Sequence, residues 1–178
     1  MISKTNSNTL IKNISFIFLI IFFICCNYNV IGQTNDQKEI NNMLDSFNRA
    51  AAKADFNNYF KYYTEDAIFT GTDATERWNK KDFMAWAKPI FDKGHAWDFT
   101  ALERHIYFDK TGTVAWFDEL LNTQMKICRG SGVLVKQDKE WKIQQYILST
   151  TVPNDVLDTV IKIKTPGEDL VIKKLSGK

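Results

Sequence analysis

Histidine and cysteine are scarce in this chain, two and three among 178 residues, and that scarcity removes several kinds of chemistry at once. His95, His105 and Cys128 form no metal-ligand set at any usual spacing, so no metal and no cofactor is expected. The other two cysteines, Cys25 and Cys26, sit near the N-terminus. If they leave with a leader, Cys128 has no intrachain partner and disulfides do not hold the fold. An excess of either charge is also missing. The chain has 23 basic and 21 acidic residues, and Lys4 and Lys12 account for the difference. A formally neutral remainder without a basic stripe argues against a nucleic-acid partner. Internal repeats and low-complexity linkers are absent as well.

The first 32 residues read as a signal peptide. Lys4 and Lys12 make a positive start, Ile14 to Cys26 is apolar, and Val30-Ile31-Gly32 is a small-residue cleavage site before Gln33. The apolar stretch is shorter than the roughly 20 residues a helix needs to span a bilayer. A lipid anchor on Cys25 or Cys26 is the rival reading, although Phe23-Ile24 lacks the small residue such a site wants. Either way export, to the periplasm or outside, is expected. After cleavage no membrane partner is expected. The remainder is long enough for one domain with a real core, placed at 33–154, with a C-terminal extension at 155–178.

From Asp36 the pattern is helical, with Ile40, Met43, Leu44, Phe47, Ala50, Ala51 and Ala54 at spacings of three and four. Asp55 is placed to cap a shorter helix carrying Phe56, Tyr59, Phe60 and Tyr63. Asn79 is placed to cap a third, whose stripe of Phe83, Trp86, Ala87, Ile90 and Phe91 ends near Gly94. Pro89 should kink or shorten it. Strands then dominate: Trp97 to Phe108, Thr113 to Asn122, about Ile127 to Lys136, and Trp141 to Thr151. Pro153-Asn154-Asp155 stops the sheet before a short helix through Ile161, and the tail beyond Pro166-Gly167 reads as a loose end or an edge strand. Helices first and a meandering antiparallel sheet second argue an α+β fold.

Hairpin register assigns the faces of that sheet. With residues 109–112 as the turn, Arg104 faces Phe117. One side carries Leu102, Arg104, Ile106, Phe108, Ala115, Phe117, Glu119 and Leu121. It is the more apolar side and should pack on the helices. Arg104 and Glu119 are then diagonal neighbours on a packed face, either a structural ion pair or polar groups lining a pocket. Gly130 and Gly132 fall on the same face and leave room there, and Gln145 is placed to point in beside Ile143, Ile147 and Ser149. Arg104, Glu119 and Gln145, walled by Trp97 and Phe117, therefore make the candidate pocket for a small, mostly apolar ligand. Trp78 and Trp86 read as core or pocket wall, and Asp73, Glu76 and Arg77 as either a solvated loop or a pocket rim. On the opposite side Trp116, Asp118, Arg129 and Tyr146, with Ser131 and His105, mix aromatics with charge in the manner of a homodimer interface. Cys128 reads as a small buried hydrophobe. Gly130-Ser131-Gly132 lies mid-strand and is neither a phosphate loop nor a nucleophile elbow.

Taken in order, LDSFNRAAAKADFNNYFKYYTEDAIFTGTDATERW, FDKGHAWDF, AWFDELL, RGSGVLVK and WKIQQYILSTTVPND resemble a SnoaL-like domain of the nuclear transport factor 2-like superfamily, over roughly Asp36 to Asn154. The resemblance implies a cone-shaped barrel, a curved sheet wrapping N-terminal helices around an internal pocket, and frequent dimers across the outer sheet face. Relatives include ketosteroid isomerases, polyketide cyclases and scytalone dehydratase, along with non-catalytic binding and dimerisation modules. No catalytic motif of these enzymes matches residue for residue, and the dehydratase-type histidines are not evident. Three readings follow: a small-molecule-binding domain, an isomerase, lyase or cyclase with Glu119 as base, or a dimerisation or interaction module.

Overall fold

The computed structural model describes residues 34–177. Helix α1 covers 34–52. The chain divides into two units after Ile40, and everything that follows concerns the unit from Asn41 to Lys178. The leader reading of residues 1–32 lies outside the described residues.

Local chemistry sets the element ends. Asp55 caps α2 (Phe56–Phe60) by accepting from the Asn58 amide at 3.2 Å. Asn79 caps α3 (Lys80–Phe91) by accepting from the Asp82 amide at 2.9 Å, while its own side-chain amide donates back to the Asp82 carboxylate. Pro89 falls in the last turn, so α3 runs only two residues past it. Around these helices lie β1 (Tyr63–Thr70), β2 (Arg77–Asn79), β3 (Thr100–Phe108), β4 (Val114–Thr123), β5 (Lys126–Gln137) and β6 (Glu140–Thr150). They form one sheet in the order β2-β1-β6-β5-β4-β3. The fold is α+β and cone-shaped, as expected, with one difference in the sheet. β1 runs parallel to β6: α3 and the segment after it carry the chain from the β2 edge to the far edge at β3, and the meander works back until β6 lies beside β1.

Three details of register decide where side chains point. Asp109 accepts from the amides of Thr111, Thr113 and Val114, each at 3.1 Å, and closes a longer loop than a four-residue turn. The β3–β4 pairing therefore sits two residues from the expected one, with Phe108 opposite Ala115 and Arg104 directly opposite Glu119. A shift of two keeps every side chain on its face. A bulge between Ala101 and Glu103 then turns Leu102 outward, where it is 58% exposed rather than packed. In β6 a second bulge matters more. Asp138-Lys139 form a two-residue turn with positive φ at both positions, and Lys136 pairs with Trp141. Between Ile143 and Gln145, however, β6 carries one extra residue, Gln144. Beyond it the strand is flipped relative to the simple alternation.

The core lies between the inner sheet face and the helices. Leu44, Phe47 and Ala51 of α1 meet Tyr59, Phe60, Phe83 and Phe91 from α2 and α3, and Ala115, Phe117, Leu121, Cys128, Leu134 and Ile143 from the sheet, all buried. Cys128 is fully buried, as a small hydrophobe. After a short 3₁₀ turn (Asn154–Val156), α4 (Leu157–Ser176) continues as one helix through Pro166-Gly167, where a break was expected. None of its described residues is buried, so water can take the carbonyl that Pro166 leaves without a donor. Among the described residues no helix is long and apolar enough to cross a membrane.

Candidate functional site

Arg104 and Glu119 meet on the inner face as cross-strand partners. Arg104 Nε donates to Glu119 Oε2 at 2.8 Å, and Nη2 lies 2.7 Å from the same oxygen. Nη1 reaches Asp45 Oδ1 at 3.0 Å and the backbone and side-chain oxygens of Asn41, each at 3.2 Å. The second Glu119 oxygen, Oε1, accepts from the Tyr146 hydroxyl at 2.9 Å. The two charged side chains are 5% and 1% exposed. Burial raises the Glu119 pKa above the usual carboxylate range, against the opposing pull of the Arg104 charge and of the hydrogen bonds from Arg104 and Tyr146. Burial likewise raises Tyr146 well above an ordinary phenol, and the neighbouring Glu119 adds to the rise.

The glycines beside this pair do not leave space for a ligand. A Cβ on Gly130 would lie 2.5 Å from the Tyr146 hydroxyl and 3.0 Å from Glu119 Oε1, and one on Gly132 would meet the Phe117 ring at 2.7 Å. The protein's own side chains fill the room. Gln145, expected to point into the pocket, is opposite Val133 and faces the other side of the sheet. Tyr146, expected at the outer interface, is 1% exposed in the core. Both corrections come from the bulge at Gln144, a one-residue slip that exchanges the faces of everything after it. Tyr146 is the residue the sequence reading missed in this cluster.

The cavity lies one strand further along, beyond Tyr146. It is a half-open cavity of about 190 Å³, and nine of its fifteen lining residues are aromatic. Trp97, expected beside Arg104 and Glu119, stands in the wall of this cavity instead, whereas Phe117 does not and packs on Tyr146 with ring centroids 5.8 Å apart. Three sources build the wall. Phe47 and Tyr59 come from α1 and α2, stacked at 4.3 Å. Phe69 of β1 lies against Phe83 of α3 at 4.1 Å with their planes 3° apart. Trp78 of β2 stacks on Trp86 of α3 at 4.9 Å. Trp97 and Phe99 close the segment between α3 and β3, and Gly71, Thr72, Glu76, Gln124 and Met125 make the more polar mouth. Of the loop residues considered as a rim, Glu76 takes that place; Asp73 and Arg77 are not in the wall. A separate depression of about 300 Å³ beside Asp45, Arg49 and Asp98 is mainly polar and has a single aromatic wall residue, Phe99.

Outside, Trp116 is 45% exposed and stacks on Tyr107 at 5.9 Å. Asp118 and Arg129 lie on the same outer face, around a shallow depression that includes His105 and Glu103, themselves paired at 2.7 Å. Among the described residues no three His, Cys, Asp or Glu side chains gather as a metal site would require.

Comparison with known proteins agrees with the fold. A family model described as a SnoaL-like domain matches residues 40–153. Among solved structures, an NTF2-like protein of unknown function from Pseudomonas putida KT2440 is 13% identical with a TM-score of 0.59, covering 69% of this chain and 92% of its own. A cystatin-like-fold domain of unknown function from Nostoc punctiforme PCC 73102 is 14% identical with a TM-score of 0.60, covering 81% and 96%. A scytalone dehydratase candidate from Novosphingobium aromaticivorans DSM 12444 is 12% identical with a TM-score of 0.59, covering 69% and 89%. At these identities the likeness is one of fold. No curated protein matches the sequence.

Proposed function

The chain belongs to the SnoaL-like domain family, and from that premise we propose that it is an exported domain that binds a small, flat, mostly apolar molecule in the aromatic cavity. One observation carries the proposal: nine aromatic side chains line one half-open cavity, with its few polar groups gathered at the mouth. Apolar walls with a few polar groups at the mouth are the usual composition of a small-ligand site. A volume of about 190 Å³ somewhat exceeds the roughly 150 Å³ that admits benzene into an apolar protein cavity. The ligand is therefore one or two rings, or an aliphatic body of that size.

The test is titration with 2-naphthol, read by quenching of the tryptophans at 78, 86 and 97. Saturable one-to-one quenching, weakened several-fold by Trp86→Ala, supports the reading. Trp86 is 43% exposed, so the truncation removes wall without emptying the core. Quenching that is linear in concentration refutes it.

A second reading, an isomerase or lyase of ketosteroid-isomerase type with Glu119 as general base, draws on one feature. Tyr146 contributes its ring to the cavity wall and its hydroxyl to Glu119. Against it, both Glu119 oxygens are occupied and the carboxylate does not line the cavity. Deuterium exchange into a bound ring ketone, lost in Glu119→Gln, would favour this reading over simple binding. The outer face, with Trp116 stacked on Tyr107 between polar neighbours, suits the homodimer expected for it.

A further inference from the structure

The cavity's one charged wall residue among those described is an acid, and its neighbours are the aromatic faces that attract cations best. Resting on the binding reading above, we propose that the site selects a cationic ligand, a quaternary or protonated amine carried on a small apolar body.

Glu76 sits at the start of the return from the β1–β2 loop. Its carboxylate lies across Gly71, where Oε2 occupies the space a side chain would need: a Cβ there would be 2.2 Å away. Oε2 accepts from the Asp73 amide at 3.2 Å, which holds the carboxylate at the cavity mouth. Among the described residues no Lys or Arg closes an ion pair with it. Beside it Trp78 and Trp86 stack at 4.9 Å, and Trp86 faces Trp97 at 6.5 Å across a 30° tilt. Tryptophan faces carry the strongest negative quadrupole among side chains, so a cation held among them is attracted by each ring, and more strongly once desolvated. An unneutralised carboxylate at the same place disfavours an anionic ligand and favours a cationic one.

The probe pair is benzyltrimethylammonium and its carbon isostere neopentylbenzene, which share shape and differ in charge. Calorimetric or fluorescence titration of the full protein should show the ammonium binding more tightly by at least about fivefold, within the range that cation–π and charge terms supply. Glu76→Gln keeps an acceptor for the Asp73 amide and should erase most of that preference, read as the ratio of the two probes' affinities within the one variant. Gly71→Ala, which must displace the carboxylate, should do the same. If the neutral isostere binds as well as the ammonium, cation selection is wrong while the binding reading stands. A preference that survives Glu76→Gln overturns the role given to Glu76. If neither probe binds, the binding reading itself fails, and this inference with it.

Discussion

Replacing Arg104 with Met tests whether the buried cluster on the inner sheet face is structural. The substitution keeps an unbranched side chain of similar reach and removes the charge opposite Glu119. Glu119 would be left 1% exposed, with the Tyr146 hydroxyl as its remaining partner. Removing one member of a buried ion pair costs about 3–5 kcal/mol, because the other charge stays desolvated. For a domain of this size that lowers Tm by roughly 10–15 °C. The double variant Arg104→Met/Glu119→Leu should recover much of the loss. It should still fall short of the parent by about 1–3 kcal/mol, since the buried Tyr146 hydroxyl then lacks an acceptor. Adding Tyr146→Phe should close that gap.

The pH dependence gives an independent arm. Burial holds the Glu119 pKa above its unfolded value even with Arg104 present. Between those two values the folded state binds more protons than the unfolded chain, so this group's contribution favours folding more as pH falls and is lost as pH rises through the folded value. Without Arg104 two of the opposing causes vanish and the folded value rises further. The deficit of Arg104→Met should therefore be smaller near pH 5 than near pH 8. Urea unfolding followed by circular dichroism measures each quantity. A single-variant cost below about 1 kcal/mol, or costs that add without coupling across the cycle, would refute the account of this cluster.

Four further outcomes follow. Gly130→Ala forces a methyl to within 2.5 Å of the Tyr146 hydroxyl and should cost about 1–3 kcal/mol in urea unfolding. By contrast Gly94→Ala, with nothing within 4 Å of the added carbon, should lose only about 1 kcal/mol from its positive φ. Asp109, held at about 2 by its hydrogen bonds from Thr111 and the Val114 amide, has a lowered pKa, so its contribution is present above the unfolded value and lost as pH falls toward 2. Asp109→Asn should reduce Tm at pH 7, with the difference narrowing below pH 4. Trp116→Ala should shift sedimentation of the proposed dimer toward monomer while 2-naphthol binding is retained; an unchanged sedimentation coefficient would count against the outer-face interface.

The faces of β4, β5 and β3 from Glu103 onward were legible in the sequence because alternation there is strict and the error in the first hairpin was even; the bulge before Glu103 hid the outward turn of Leu102. Arg104, Glu119, Gly130 and Gly132 kept their side although Asp109 moved the pairing by two residues. The caps at Asp55 and Asn79 were legible for a local reason: the side chain and the amide it serves lie three residues apart. β6 was not legible. A bulge at Gln144 leaves no mark in a run of WKIQQYILS, and one extra residue was enough to send Gln145 outward and Tyr146 inward. The cavity was only half visible. Trp97 was read as the wall of a pocket centred on Arg104 and Glu119, and Glu76 as either solvated loop or rim, while Phe47, Tyr59, Phe69 and Phe83 sit on stripes indistinguishable from an ordinary core. Whether aromatic rings close on one another or stand apart around a space depends on how α1, α2, α3 and β1 are brought together, which no single stripe encodes. The glycines show the same limit, since what fills the space beside Gly130 depends on the strand that carries Tyr146.

The most direct test of the central claim is a crystal structure of the protein grown with 2-naphthol. The account predicts planar density between Phe69, Trp78, Trp86 and Trp97, with the Arg104–Glu119–Tyr146 cluster closed and unaltered behind it. Density only in the polar depression beside Asp45 or on the outer sheet face, with the aromatic walls collapsed on each other, would contradict it.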